Sequence, residues 1–459
     1  MPDTISIDKL RTDVQGRVIG PDDPWYDDAR TVFYGGIDRR PAVIVRVAND
    51  ADVARVIALA RETGLELAVR SGGHSIPGHS VSEGGIVLDL ADMRSIDIDP
   101  GERTAWAETG LTALEFSKAA HEHDLALGFG DTGSVGIGGI TLGGGVGYLS
   151  RRYGLTIDHL VAADLVTADG EVRRVDAQAE PDLFWAIRGG GGNFGVATRF
   201  LYTLDELPTV VGGMLLLPAT PDTITRFIAE AGSASEELST IANVMKAPPM
   251  PFIPAEAHGK PSIMALMCFA GDADAGAQAL APFRGLAEPM ADMVRPIPYP
   301  EIYPPEEEGY HPTATAINMF VDAIGAREAE TILDQIERST AMMGVAQLRV
   351  LGGAISRVPN DATAYAHRDR GIMVNVAALY EGADQAAEHA PWVDGFAQAL
   401  NQGYDGAYAN FLADEGSERI RAAYPGGTWD RLRAIKARFD PTNLFRLNQN
   451  IPPTAEERA

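Results

Sequence analysis

Glycine placement sets the strongest limit on what this chain can fold into. The chain has 49 glycines in 459 residues, above the roughly 7% of an average protein. They are not spread evenly: ten of the twenty residues from Gly128 to Gly147 (GFGDTGSVGIGGITLGGGVG) are glycine. A second cluster, RGGGGNFG, covers Arg188 to Gly195, and a third, SGGHSIPG, covers Ser71 to Gly78. Apolar, periodic sequence flanks each cluster, which does not fit a low-complexity linker. Folded proteins spend glycine where φ is positive or where backbones approach closely, because it costs conformational entropy elsewhere. Turns of this kind expose N–H groups that form anion-binding concavities. Several of them in one half of a chain point to a large cofactor with phosphates.

The clusters contain two G-x-G-x-x-G matches, at Gly128, Gly130, Gly133 and at Gly190, Gly192, Gly195. Neither reads as a dinucleotide fingerprint, which requires strand, tight turn and then helix. The second is followed by VATRFLYTL, a strand-like run, and runs this rich produce chance matches. No G-x-x-x-x-G-K-[ST] occurs.

Charge and cysteine usage exclude other classes. Lys plus Arg is 38 and Asp plus Glu is 64, giving a net charge of −26. Such a chain lacks the basic footprint of a nucleic-acid binder and is repelled by anionic membranes. The one cysteine, Cys268, excludes a disulfide framework, thiolate zinc sites and iron–sulfur ligation. It sits in the apolar run SIMALMCFA and reads as a small buried hydrophobe. HEHD at 121–124 reads as a solvated helix end, so no metal site is expected. Without a basic start leading into an apolar core, or an apolar run of about 18 residues, a cytoplasmic soluble protein is the expectation.

Length suggests two to four domains. Periodicity predicts helices over 51–64, 111–124, 181–189, 326–343 and 429–438. It predicts strands at LELAVR, 84–90, 102–110, RVLGGAI and GIMVNVAALY, and a hairpin over 159–176 turning at Asp169-Gly170. GGITLGGGVGYLSRRYGL reads as one glycine-rich helix ending near Tyr153. After about residue 210 glycine thins and proline-rich loops appear (KAPPMPFIP, RPIPYPEIYPPEEEGYHP), as in a second α+β domain.

Four segments carry a close family resemblance: RSGGHS at 70–75, GSVGIGGITLGGGVGYLSRRYGL at 133–155, FWAIRGGGGNFGVAT at 184–198 and FDPTNLFRLNQNI at 439–451. They resemble the FAD-linked oxidases of the vanillyl-alcohol oxidase type, and within these the berberine-bridge-enzyme-like branch and the bacterial 6-hydroxy-D-nicotine oxidase type. The resemblance implies an α+β fold with a two-part FAD-binding domain, residues 1–208 plus a C-terminal return over 405–459. Between them it implies a substrate domain, 209–404, with an antiparallel sheet and flanking helices. It implies that His74 is joined through a ring nitrogen to the flavin 8α-methyl group. Arg70, Ser71, Gly72, Gly73, Ser75 and Gly78 would surround that histidine and face the pyrophosphate. Gly130, Asp131, Thr132, Ser134, Val135, Gly136, Gly138, Gly139, Gly143 and Gly145 would lie beneath the ring, Gly195 and Val196 on the adenine side, and Asn448 and Asn450 near the flavin edge.

Two positions depart from the family pattern. Thr132 stands where many berberine-bridge-like enzymes carry a cysteine that forms a second flavin bond, so no second, cysteinyl bond is expected. Ile140 stands where plant members carry a histidine. Val135 occupies the position at which a valine leaves dioxygen a path, which favours an oxidase over a dehydrogenase. The substrate implied is a small alcohol, sugar or amine. Tyr408, in GAYANF, resembles the tyrosine base of carbohydrate-oxidising relatives and reads equally as a core aromatic. Asn375 and Tyr380, on GIMVNVAALY, match the strand on which relatives place substrate-facing residues; each also reads as an ordinary core or surface residue. His367 reads as structural. A monomer or homodimer is expected.

Overall fold

The computed structural model describes residues 5–305 and 309–454. The proline-rich stretch is therefore seen on either side of 306–308, and the ends of the expected FAD-binding segments, 1–4 and 455–459, lie outside the described residues.

Among the described residues, two larger sheets and a two-stranded pairing of Leu125–Ala126 with Asp205–Glu206 form the N-terminal half. The first has the strand order Arg17–Ile19, Val43–Arg46, Ile86–Asp89, Leu67–Arg70; its outer pair Arg17–Ile19 and Val43–Arg46 is antiparallel and the rest is parallel. The central strand Ile86–Asp89 is buried throughout, as expected where a parallel sheet is covered on both faces. Helix Asp50–Thr63 covers it with Val53, Val56, Ile57 and Ala60. Asn49 caps its first turn, and Gly64 ends it at a φ of 68°. The second sheet is antiparallel, in the order Ile96–Asp99, Thr104–Glu108, Val196–Thr203, Leu160–Val166, Val172–Asp176. The hairpin at Asp169-Gly170 and the strand after RGGGGNFG form as expected.

Residues 210–380 build an eight-stranded antiparallel sheet. Its long strands run in the order Val210–Pro218, Pro261–Phe269, Leu238–Lys246, Met343–Val350, Ile372–Tyr380, Thr313–Val321. Strand alternation splits this sheet into two faces. One face, with Leu215, Val244, Ile263, Leu348, Val374 and Val376, packs against helices Pro221–Ser233, Ala273–Arg284, Ala326–Arg338 and Ala386–Leu400. The other face looks toward the glycine loops. After the sheet the chain returns to the N-terminal half through helix Thr428–Phe439. Lys436, fully buried, donates there to Asp440 (2.7 Å), the Asn193 carbonyl (2.7 Å) and the Phe445 carbonyl (2.9 Å). Burial pulls the Lys436 ammonium down and Asp440 opposes it. The pair ties the C-terminal tail to the RGGGGNFG loop.

Three expected elements differ. The segment read as one glycine-rich helix is two short ones, Ile137–Gly143 and Ser150–Tyr153. Gly144 (φ 136°) and Gly145 (φ 81°) break it, and a Cβ on Gly145 would lie 1.9 Å from the Thr156 hydroxyl. RVLGGAI stops being a strand at Val350, because Gly352 and Gly353 take positive φ (96° and 58°). The helix expected to reach 343 ends at Arg338, and the next strand begins at Met343. Among the described residues no helix is long and apolar enough to cross a membrane.

Candidate active site

The three glycine clusters converge on one cavity of about 450 Å³, within the range of ligand sites. Its floor is the loop Ser71–Pro77 and the segment Gly130–Leu142; Gly191–Val196 and Leu447–Gln449 close one end. Gln347, Arg349 and Asn375 from the large sheet form the roof, with Tyr408–Leu412 beside them.

The glycines do two different jobs. Gly72 and Gly136 press backbone on backbone: a Cβ on Gly136 would lie 2.1 Å from the Gly72 nitrogen, and one on Gly72 would lie 2.2 Å from the Gly136 nitrogen. Gly138 packs on Ser71, whose hydroxyl donates to the Thr109 carbonyl and accepts from the Gly138 N–H at 3.3 Å. These residues bind the loops to each other, so the Ser71 hydroxyl is committed within the protein. Gly139 and Gly192 line the same cavity with nothing within 4 Å of a notional Cβ, and Gly73 (φ 75°) meets nothing closer than 3.7 Å. They leave room for a ligand against bare backbone. The Asn448 amide donates to the Gly192 and Phe445 carbonyls, while its Oδ1 is buried with no partner. An open glycine floor ending in an orphaned amide oxygen fits an extended, hydrogen-bonding cofactor.

His74 lines this cavity and also a second one of about 380 Å³ on the far side of its loop. Its ring stacks on Phe33 (centroids 3.9 Å apart, planes 20° apart), and its Nε2 lies 2.8 Å from the Ser134 hydroxyl. The side chain is thereby held in one orientation at the cavity wall. Thr132 donates to Asp131 at 3.3 Å. Val135 and Ile140 line the cavity. Cys268 is fully buried in the large sheet, and burial pushes its thiol well up, so it is an inert hydrophobe.

Tyr408 is nearly inaccessible, and its hydroxyl accepts two hydrogen bonds, from the Gly145 N–H and from Asn410 Nδ2, both 2.9 Å. Burial pushes the phenol up; those two donors and the Arg349 charge pull against it without cancelling it. Asn410 can reach it because Gly143 has no side chain: a Cβ there would lie 1.9 Å from Asn410 Oδ1.

Several expected residues stand elsewhere. Tyr380 does not face the cavity. It lies five residues from Asn375 on one strand, hence on the opposite face, where it bonds Thr315 (2.7 Å) and stacks on His389 in the helix layer. Arg70 lies beneath the histidine loop, paired with Asp89 at 2.7 Å, and faces the second cavity. Gly78, Gly143, Gly145, Ser134 and Asn450 are outside the main cavity's lining. Gly78 is needed for its φ of 72° against Ile37, and Asn450 Oδ1 is buried without a partner. Gly73, His74, Ser75, Gly130, Asp131, Thr132, Val135, Gly136, Gly138, Gly139, Gly195, Val196, Asn375, Tyr408 and Asn448 do line it. His367, between Phe320 and the Ala423 carbonyl, is structural as expected, and burial pushes its imidazole down to about 4. Among the described residues no cluster could hold a metal ion, at HEHD or elsewhere.

Sequence reading missed Gln347, Arg349, Asn410, Tyr34 and His79, all of which line the cavity. A weak signal for the first two existed, since QLR places two polar residues two apart on one face of a strand. Burial pushes the His79 imidazole down to about 4 and the Tyr34 phenol up to about 12.

Known proteins agree with this arrangement. A family model described as FAD binding domain matches residues 41–176, and one described as berberine and berberine like matches 407–452. The chain is 32% identical to (R)-6-hydroxynicotine oxidase of Paenarthrobacter nicotinovorans, over 96% of this chain and 97% of that protein. It is 29% identical to an uncharacterised FAD-linked oxidoreductase of Bacillus subtilis, over 96% and 98%. Among solved structures, 6-hydroxy-D-nicotine oxidase of Arthrobacter nicotinovorans superposes with a TM-score of 0.84 at 29% identity, covering 95% of this chain and 98% of the other. Xylooligosaccharide oxidase of Myceliophthora thermophila shares the fold, with a TM-score of 0.85 at 23% identity over 98% and 99%. The glycine-lined cavity, the two matched segments and the full-length relatives lead to one conclusion: the chain belongs to the FAD-linked oxidoreductases of the berberine-bridge-enzyme-like branch and is an FAD-dependent oxidoreductase.

Proposed function

We propose that the chain is a cytoplasmic oxidase, monomer or homodimer, that holds FAD through a single covalent bond from His74. Its substrate is a small alcohol, sugar or amine, and its second product is hydrogen peroxide. In this reading residues 1–208 and 405–459 form the FAD-binding unit and 209–404 the substrate unit. Bound FAD supplies acceptance of a hydride from the substrate carbon and return of the electrons to dioxygen.

The carrying observation is His74. Its ring is oriented by Phe33 and Ser134 at the wall of the cavity, and it stands in the R-S-G-G-H-S context. Thr132 supports a single tether, because a hydroxyl at its ordinary pKa is too poor a nucleophile to replace the family's cysteine, and the buried Cys268 is too remote in sequence and placement to serve. Val135, lining the cavity, supports dioxygen as acceptor. The floor loops and Asn448 hold the cofactor through backbone and amide groups, and the roof positions the substrate over it.

Tyr408 is the proposed proton acceptor when the substrate is an alcohol. The two N–H groups aimed at its oxygen stabilise the phenolate that must be present before it takes the alcohol proton and becomes a phenol. Burial raises the phenol, so this ionised, proton-accepting form becomes available as pH rises. An amine that arrives uncharged needs no such base. Incubating the purified protein in air with a panel of alcohols, sugars and amines, and measuring peroxide against substrate consumed, tests the proposal. One peroxide per substrate oxidised is expected. Flavin bleaching without peroxide would mean a dehydrogenase using another acceptor.

A further inference from the structure

The roof of the cavity has an unusual pattern of spent and unspent hydrogen bonds. Asn243, Gln347, Asn375 and Asn318 stand opposite one another across four neighbouring strands, on the face away from the helices. Gln347 is engaged at both ends of its amide: its Nε2 donates to Asn243 Oδ1 (3.0 Å), and its Oε1 accepts from Arg349 Nε (3.0 Å) and Nη2 (2.8 Å). Asn243 is itself fixed by donating to the Met264 carbonyl at 3.1 Å. Arg349 also pairs with Asp131 of the floor loop and lies over the Phe411 ring, 5.0 Å from its centroid. Only 4% of the Arg349 side chain is exposed, yet its Nη1 has no partner, and neither does the buried Oδ1 of Asn375. Both residues line the cavity. They are diagonal neighbours, since Arg349 pairs with Met373 and Gln347 with Asn375, a spacing of roughly 7–8 Å. One small group can bridge them.

A buried donor and a buried acceptor left open beside each other are costly unless something pairs them. What pairs them is limited by charge. Asp131 already neutralises the guanidinium, so a carboxylate would place a second negative charge in a buried site without a second cation to match it. The chain's net charge of −26 works in the same direction at long range. We infer that Arg349 Nη1 and Asn375 Oδ1 are the specificity-determining pair of this site, binding an uncharged group that presents an acceptor and a donor side by side and excluding carboxylates. A lactam-type heterocycle and a vicinal diol both carry that chemistry. The inference rests on the oxidase reading only in taking this cavity as the substrate site.

The test is equilibrium binding to the yellow holoenzyme, by calorimetry and by perturbation of the flavin visible band. The probes are 2-pyridone, N-methyl-2-pyridone, xylobiose and picolinate. At least one uncharged donor–acceptor probe, 2-pyridone or xylobiose, should bind, and which one does identifies the source of the group. Picolinate should bind at least tenfold more weakly than that probe. Arg349→Gln should weaken the bound probe by about 10- to 100-fold, as expected for a hydrogen bond to a charged donor. Asn375→Leu, a milder change, should weaken it about tenfold. If the probe is 2-pyridone, N-methylation should cost a similar factor in the wild type and nothing further in Asn375→Leu. Asp131→Asn, which removes the counter-charge, should raise picolinate affinity at least tenfold. The inference is overturned if picolinate binds the wild type best, if neither uncharged probe binds yellow protein, or if binding ignores both Arg349→Gln and Asn375→Leu. A colourless protein would instead sink the FAD reading itself.

Discussion

The floor and the roof of the cavity are built by different means. The floor is backbone: Gly72 against Gly136, Gly139 and Gly192 open to the cavity, with side chains held back. The roof is side chains: Gln347, Arg349 and Asn375 reach down from strands whose other face is buried under helices. A floor of this kind suits one fixed cofactor, because backbone geometry at close contacts tolerates little substitution. A roof of this kind can change one side chain at a time without disturbing the fold, and so can change substrate.

Substitutions separate the two, beginning with the largest effect. Tyr408→Phe, at the roof's edge, should lower kcat about 10²- to 10⁴-fold for an alcohol substrate while leaving flavin content unchanged. For an uncharged amine the loss should stay under about tenfold, so one variant assayed on both substrate types identifies the chemistry. Because burial raises Tyr408, alcohol oxidation should keep rising with pH and not level off below about pH 10. A plateau near neutrality would exclude Tyr408 as the titrating base.

On the floor, Gly136→Ala should cost about 3 kcal/mol by denaturant melt, because its Cβ meets rigid backbone. Gly139→Ala should fold normally and lose cofactor loading, since its Cβ would enter space the structure keeps open. Equal effects at the two positions would remove the distinction between glycines that join loops and glycines that admit a ligand. On the roof, Asn375→Ala should change stability by less than about 1 kcal/mol, because its Oδ1 has no partner to lose.

His367 offers a comparison outside the cavity. Its folded value, near 4, is below its ordinary 6.5, so the unfolded chain binds a proton that the native one refuses. That stabilisation is complete above about pH 6.5 and is lost as pH falls toward 4, by about 3 kcal/mol at most. His367→Gln should flatten the slope of melting temperature over that window.

The same contrast decides how much could be read from sequence. The floor was legible because close backbone approach and positive φ dictate residue type, so glycines at 72, 136, 139 and 192 announce their use locally. The N-terminal strands and the helix over 51–64 were legible for a similar reason: their periodicity and caps are local. The roof was not. Arg349 gains meaning only through Asp131, 218 residues away in the chain, and Asn375 only through its register against Gln347 and Asn318. Tyr380 was misplaced even though its strand was correctly read, because the five-residue offset from Asn375 fixes opposite faces. Gly144 and Gly145 split an expected helix because tertiary contacts with Thr156 and Tyr408 replace helical bonds there.

The central claim is the single tether through His74, and acid precipitation of the yellow protein tests it most directly. Wild-type colour should stay in the pellet, and His74→Ala should release it to the supernatant while Thr132→Ala does not. Wild-type colour in the supernatant, or pellet-bound colour in His74→Ala, would contradict the account.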